Sequence, residues 1–142
     1  MTDKMRELRI AEVKAKMAQV GQRLAIIENP KSFDQIVTHM DSILLLLGQI
    51  REIEKQYPEI MDPPPDKLIP MMERTKEAKA ATFAIKTADL NLEKAKVVSK
   101  KTTKTDLLDK AKMMIVEAKS YVTSQDLLDK LEAKLVELNS IE

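Results

Sequence analysis

The stretch Phe33-Asp34-Gln35-Ile36-Val37-Thr38-His39-Met40-Asp41-Ser42-Ile43-Leu44-Leu45-Leu46-Leu47-Gly48-Gln49-Ile50 decides the fold. Phe33, Ile36, Met40, Ile43, Leu47 and Ile50 recur at alternating intervals of three and four residues. That spacing lines one side of an α-helix packed against other helices. Leu44, Leu45 and Leu46 widen the apolar arc beyond a single seam, which predicts a helix with more than one neighbour. Ser32 stands just before the stretch and can cap the free amides of the first turn, while Gln35 can reach back to the Ser32 amide. Tyr57 lies one heptad past Ile50.

Upstream, Ile10, Val13, Met17, Val20, Leu24 and Ile27 repeat the same intervals. Asn29-Pro30-Lys31 leaves room only for a short connection, and short connections make antiparallel neighbours. The first two helices therefore form a hairpin in this reading, with Ile27 near Phe33 or Ile36 and Val20 near Met40 or Ile43. Downstream, Pro58 and Pro63-Pro64-Pro65 mark a break. A third helix is expected from Asp66 as its cap, with Pro70 in the first turn, where the missing amide proton costs nothing. Ile69, Phe83, Leu90 and Val97 mark its seam, with Lys76 at the skipped position. Ala78, Ala80, Ala81, Ala84, Ala88 and Ala95 make it thin, so it should lie close to a neighbour's backbone.

Residues 99–105 hold no apolar side chain and read as a turn or a solvated helical bridge, with Thr105 as the cap of the next helix. In the last segment Leu107, Met114, Tyr121, Leu128 and Leu135 are each one heptad apart, with Ala111, Ala118, Leu131 and Leu138 at companion positions. Leu107-Leu108-Asp109-Lys110 returns as Leu127-Leu128-Asp129-Lys130, either by coincidence or because two helices start alike. No stretch alternates with period two. The expected fold is all-α: one helical domain over residues 1–142, with helices at about 3–28, 32–57, 66–98 and 105–140. Its long antiparallel helices would form a hairpin, a bundle or a coiled-coil-like assembly.

Composition narrows the function. Among 142 residues, 24 are Lys or Arg and 23 Asp or Glu, so no whole-chain field attracts nucleic acid or anionic membrane. The sign alternates by segment: the net is +2 over residues 1–30, −3 over 31–62, +5 over 63–104 and −3 over 105–142. Antiparallel neighbours of opposite charge would choose register this way more than gain stability. The absence of Cys removes disulfide scaffolds, thiolate metal sites and cysteine nucleophiles. The start leads into no apolar run, so no secretory signal is read, and no stretch is long enough to insert in a membrane. A soluble, cytoplasmic chain is expected.

His39 is the sole histidine, so a zinc or di-iron site lacks its ligand set. It is read as a flanking, partly solvated residue. Pairing it with Ser42 on one helix would leave a nucleophile without an orienting third group or an oxyanion hole. Gly21 and Gly48 are isolated within helices, so phosphate loops are absent; each marks a close helix contact or a weak point. No catalytic, metal or cofactor residue is assigned, and no small-molecule substrate is expected. Lys94, Lys96, Lys100, Lys101 and Lys104 form the densest basic stretch, but without Arg or interleaved aromatics they fit a solvated turn, or a site for an acidic partner, better than nucleic acid.

In one region the chain resembles a known family. Ile43-Leu44-Leu45-Leu46-Leu47-Gly48-Gln49-Ile50, then Tyr57-Pro58-Glu59-Ile60-Met61-Asp62-Pro63 and Asp66-Lys67-Leu68, are similar in order to the smallest shoulder subunit of dynactin, the dynactin subunit 3 family. The resemblance covers residues 33–97. It implies an all-helical subunit built into a cytoplasmic, cytoskeletal motor activator, and it carries over no catalytic or binding residue.

The expected function is a non-catalytic structural or adaptor subunit of a larger helical assembly, whose partners are other helical subunits, copies of itself or different chains. Its interaction surface is expected at Leu44, Leu45, Leu46 and Leu47, at the flexible doublets Met71-Met72 and Met113-Met114, and at Leu128 and Leu135. The alternative is a nucleic-acid-associated bundle that uses Lys94 to Lys104.

Overall fold

The computed structural model describes the backbone of residues 2–141 and the side chains of residues 3–141. Five helices succeed one another: α1 (Thr2–Ile26), α2 (Phe33–Gln56), α3 (Pro65–Val97), α4 (Lys101–Lys119) and α5 (Gln125–Asn139). Among the described residues there is no strand, and the fold is all-α. Backbone contacts gather into two compact units, Met1–Lys76 and Glu77–Glu142, with the boundary inside α3.

The first unit holds the expected hairpin. Phe33, Ile36, Met40, Ile43, Leu47 and Ile50 are all buried on α2, and Ile53 extends the row. Val13 and Val20 on α1 and Ile27 just past its end, seven residues apart, are buried, while Ile10, Met17 and Leu24 are half-buried at its edge. Lys16 donates to the Gln49 side chain at 2.8 Å, and the Arg23 guanidinium meets His39 Nδ1 at 3.0 Å, so the two helices run antiparallel. The Ser32 hydroxyl accepts from the Gln35 amide at 3.0 Å, as the sequence predicts. The return bond differs. The Gln35 side chain accepts from the Lys31 amide at 2.8 Å instead of reaching Ser32, which ties the connection itself to the first turn.

The opening of α3 runs antiparallel along α2. Lys76 bonds Asp41 at 2.7 Å and Arg51 lies 3.7 Å from Asp66; the partners are ten residues apart on either helix, so one register satisfies both. The start itself is displaced from the expected one. Pro65 is the first helical residue and the Pro64 carbonyl accepts the first bonds, from Lys67 at 3.0 Å and Leu68 at 3.3 Å. Proline suits that place because its missing N–H would have had no helical acceptor. Asp66 is thus inside the helix, not its cap. Pro70 falls in the second turn, where it withholds the bond that residue 70 would otherwise donate to the Asp66 carbonyl.

The second unit comprises the rest of α3 with α4 and α5. Glu77 meets Thr123 and Asp89 meets Lys134, so the contacts advance together and α5 runs parallel to α3. Lys119 pairs with Glu132 across the α4–α5 turn, where these two helices make a close antiparallel pair. The seam expected at Ile69, Phe83, Leu90 and Val97 is corrected here. The buried face of α3 is Ala80, Ala81, Ala84, Ala88, Leu92 and Ala95, while Leu90 is 55% and Val97 83% exposed. Nor does the thin helix press closest to a neighbour: the close backbone approaches are α1 with α2 and α4 with α5.

The last expected helix, residues 105–140, is two helices. It breaks over residues 120–124, where the Ser120 hydroxyl donates to the Glu117 carbonyl at 2.7 Å in competition with the helical ladder. The heptad Leu107, Met114, Tyr121, Leu128 and Leu135 is half-buried, and the fully buried stripe is Leu108, Ala111, Ile115, Ala118 and Val122, continued by Leu131 and Leu138. Of the two Leu-Leu-Asp-Lys copies, the second opens α5 and the first lies well inside α4. Thr105 is not a cap either; its hydroxyl donates to the Lys101 carbonyl within α4 at 3.1 Å. Gly21 and Gly48 mark no close contact, since a Cβ at either position would have nothing within 4 Å.

Candidate functional site: outward faces and grooves

The polar candidates are engaged in local structure. His39 is half-buried on the flank of α2, as expected, with its Nδ1 facing Arg23. The Ser42 hydroxyl donates to the Thr38 carbonyl at 3.0 Å, so the two side chains do not form a nucleophile–base pair. Among the described residues no group of His, Asp and Glu could hold a metal ion.

The apolar candidates differ in exposure. On α2, Leu47 is fully buried and offers no surface, Leu44 and Leu46 are half-buried, and Leu45 is 65% exposed between Asp41 and Gln49. Met71 is exposed and Met72 half-buried near the start of α3. On α4, Met113 is 69% exposed and Met114 half-buried; on α5, Leu128 and Leu135 are half-buried. Leu44 to Leu47 and Met71-Met72 belong to the first unit, Met113-Met114, Leu128 and Leu135 to the second. The sequence reading missed Leu90 and Val97 as surface, because their heptad spacing imitates a buried seam.

Grooves lie in both units. One, about 770 Å³, lies at the proline elbow of the first unit, lined by Pro58, Met61 and Pro64 with Arg51, Glu54 and Glu59. A second, about 350 Å³, runs along α1 and α2 between Arg9, Lys16, Gln49 and Glu52. Glu52 is held below the ordinary carboxylate range because Lys55 donates a hydrogen bond to it at 2.9 Å. Another, about 470 Å³, lies in the second unit between α3 and α5, with Ile85 and Leu90 as its apolar wall.

Charged groups at the groove between α3 and α5 are arranged by α5. The Lys134 ammonium donates to Asp89 at 2.8 Å and to Glu137 at 2.9 Å, and these bonds raise its pKa above the ordinary lysine value. Glu93 accepts from Lys96 at 3.2 Å. The basic stretch spans the α3–α4 turn: Lys94, Lys96, Lys100 and Lys101 are exposed and Lys104 is half-buried.

One polar contact had no signal in the sequence. The Glu77 carboxylate accepts from the Thr123 amide, from the Thr123 hydroxyl at 3.0 Å and from the Ser124 amide at 3.0 Å. It supplies the cap of α5, where the Ser124 side chain makes no cap bond of its own. Compared with known proteins, the chain matches no family model, no curated protein and no solved structure.

Proposed function

We propose that the chain is a non-catalytic structural or adaptor subunit of a larger helical assembly, and that it engages other helices through apolar side chains its own fold leaves outside. The observation that carries this is α3. Its alanine face is buried, while Leu90 and Val97, one heptad apart, stand exposed on roughly the opposite side. A helix with apolar stripes on two sides has two sets of neighbours, and an ordered line of exposed aliphatics marks a contact site. Half-buried Phe83 continues the line one heptad earlier.

The finer form of the proposal is a cytoplasmic, motor-associated assembly of the dynactin kind. Its support is the resemblance over residues 33–97, which includes the most deeply buried helix, α2. The alternative, a nucleic-acid-associated bundle, has the exposed lysines at the α3–α4 turn in its favour.

The test is purification of the tagged full chain from its native source, with co-purifying subunits identified and counted. The expected result is a complex of fixed stoichiometry that survives moderate salt. Recovery as a 16.1 kDa monomer, highly helical and sharply melting, would overturn the proposal. Binding to DNA or RNA that falls steeply with salt would favour the alternative.

A further inference from the structure

We infer that the groove between α3 and α5 is the docking seat of an acidic amphipathic helix from a partner protein. The inference rests on the adaptor reading and names the chemistry of the partner. Ile85 and Leu90 give the groove an apolar wall. Its two carboxylates are already satisfied, Asp89 by Lys134 and Glu93 by Lys96. Lys86 and Lys130, also on the groove, are exposed and make no ion pair among the described residues. The uncompensated charge of the groove is therefore positive.

The shape of the apolar line selects a helix. From Leu90 the line continues outward to Val97, two turns or about 10 Å along a straight rod. Seven-residue spacing matches the a or d positions of a partner helix, whereas an extended peptide presents side chains to one face every second residue and would not keep step. The positive sign persists along the same route, through exposed Lys94 and then Lys100 and Lys101 beyond the end of α3. A partner that fits has aliphatic a and d residues flanked by Glu or Asp. Opposite charge would speed encounter and fix register, and the aliphatic contact would hold the complex.

The test uses the full chain and two designed helical peptides of about four heptads, both with Leu at a and d. One has Glu at e and g, the other Lys. Fluorescence anisotropy should show saturable binding of the Glu peptide and at least about tenfold weaker binding of the Lys peptide. Leu90→Asp, and separately the double variant Lys86→Glu with Lys130→Glu, should each weaken the Glu peptide by about tenfold or more. Circular dichroism melts should show these variants folded, because all three positions are exposed. Val97→Asp, farther still from the buried face, serves if Leu90→Asp does not fold.

Equal binding of the two peptides, no binding of the Glu peptide, or indifference to Leu90→Asp would overturn the inference. So would Leu90-dependent self-association in sedimentation equilibrium, which would make the occupant a second copy. Binding to phosphatidylserine vesicles or duplex DNA that depends on the lysines but not on Leu90 would overturn it as well. If the groove fails while the native complex keeps its stoichiometry in Leu90→Asp, the adaptor reading stands with its contact elsewhere. If the chain is also a monomer at source, both fall.

Discussion

Along α2 the buried side chains are Phe, Ile, Met and Leu; along α3 from Glu77 onward they are alanines with one Leu. The first row removes a large apolar area from water, with each full burial of a large aliphatic side chain contributing about 1.5–3 kcal/mol. The second row contributes much less per residue, and the second unit adds polar ties between helices: Glu77 to Thr123 and Ser124, Asp89 to Lys134, Glu132 to Lys119. The two ion pairs, each with a largely exposed carboxylate, are individually worth about 0–1 kcal/mol, so their main effect is on which helix lies where. The α2 helix is held by the volume of its own side chains, whereas α3 meets its neighbours with small ones, and the large buried residues of its unit, Ile115, Leu131 and Leu138, come from α4 and α5.

The largest expected effect is in the first unit. Leu47→Asp puts a carboxylate at a fully buried position, and no basic side chain is bonded there. Desolvating that charge should cost about 4 kcal/mol or more. Hydrogen exchange should show amide protection lost in α1 and α2 before α4 and α5. Equal loss throughout the chain would erase the contrast and make it one cooperative block.

Next in size is a test of which face of α3 is packed. Ala88→Leu adds volume at a buried site and should destabilise by about 2–3 kcal/mol in urea unfolding, whereas Leu90→Ala should change stability by less than about 0.5 kcal/mol. The reverse ranking would mean that Leu90, not Ala88, faces the core. Smaller again is Glu77→Ala. It leaves the Thr123 and Ser124 amides without their acceptor and should cost about 1–2 kcal/mol, with Glu77→Gln recovering part of it. Recovery of none would show that charge, not hydrogen bonding, is what α5 needs. The smallest effect has the opposite sign. Gly48→Ala adds a methyl with nothing within 4 Å, so the helix gains about 0.5–1 kcal/mol and the thermal midpoint rises. A fall would mean that the neighbourhood of α2 is tighter than its geometry indicates.

The same contrast explains what could be read from the chain. The hairpin was legible to single residues: the Ser32 cap, the α2 row and its partners on α1 all stand where the intervals place them. Periodicity weights large apolar residues, and there the large residues are the core. In α3 the core is alanine, which carries little hydrophobic signal, so Phe83, Leu90 and Val97 set the apparent seam and pointed it outward. In the last segment Leu107 to Leu135 keep perfect heptads through a break at which the Ser120 hydroxyl takes a backbone carbonyl and a carboxylate from a distant helix holds Thr123 and Ser124. No local pattern encodes Glu77, because its partners are 46 and 47 residues away. Of the expected interaction surface, exposure separates the members: Leu47 is inside because it lies on the α2 row, while Leu45, Met71 and Met113 fall off the rows and stand exposed.

The Glu77 cap also bears on the order of events in folding. The α4–α5 pair is joined by five residues and can form early, since closing so short a loop costs little entropy. The Glu77 bonds close a far longer loop, to Thr123 and Ser124 just ahead of α5. Docking of α3 on that end is therefore a late step. Removing the carboxylate should leave the refolding rate nearly unchanged and act as a faster latch release, with its whole effect appearing in the unfolding limb of a chevron plot.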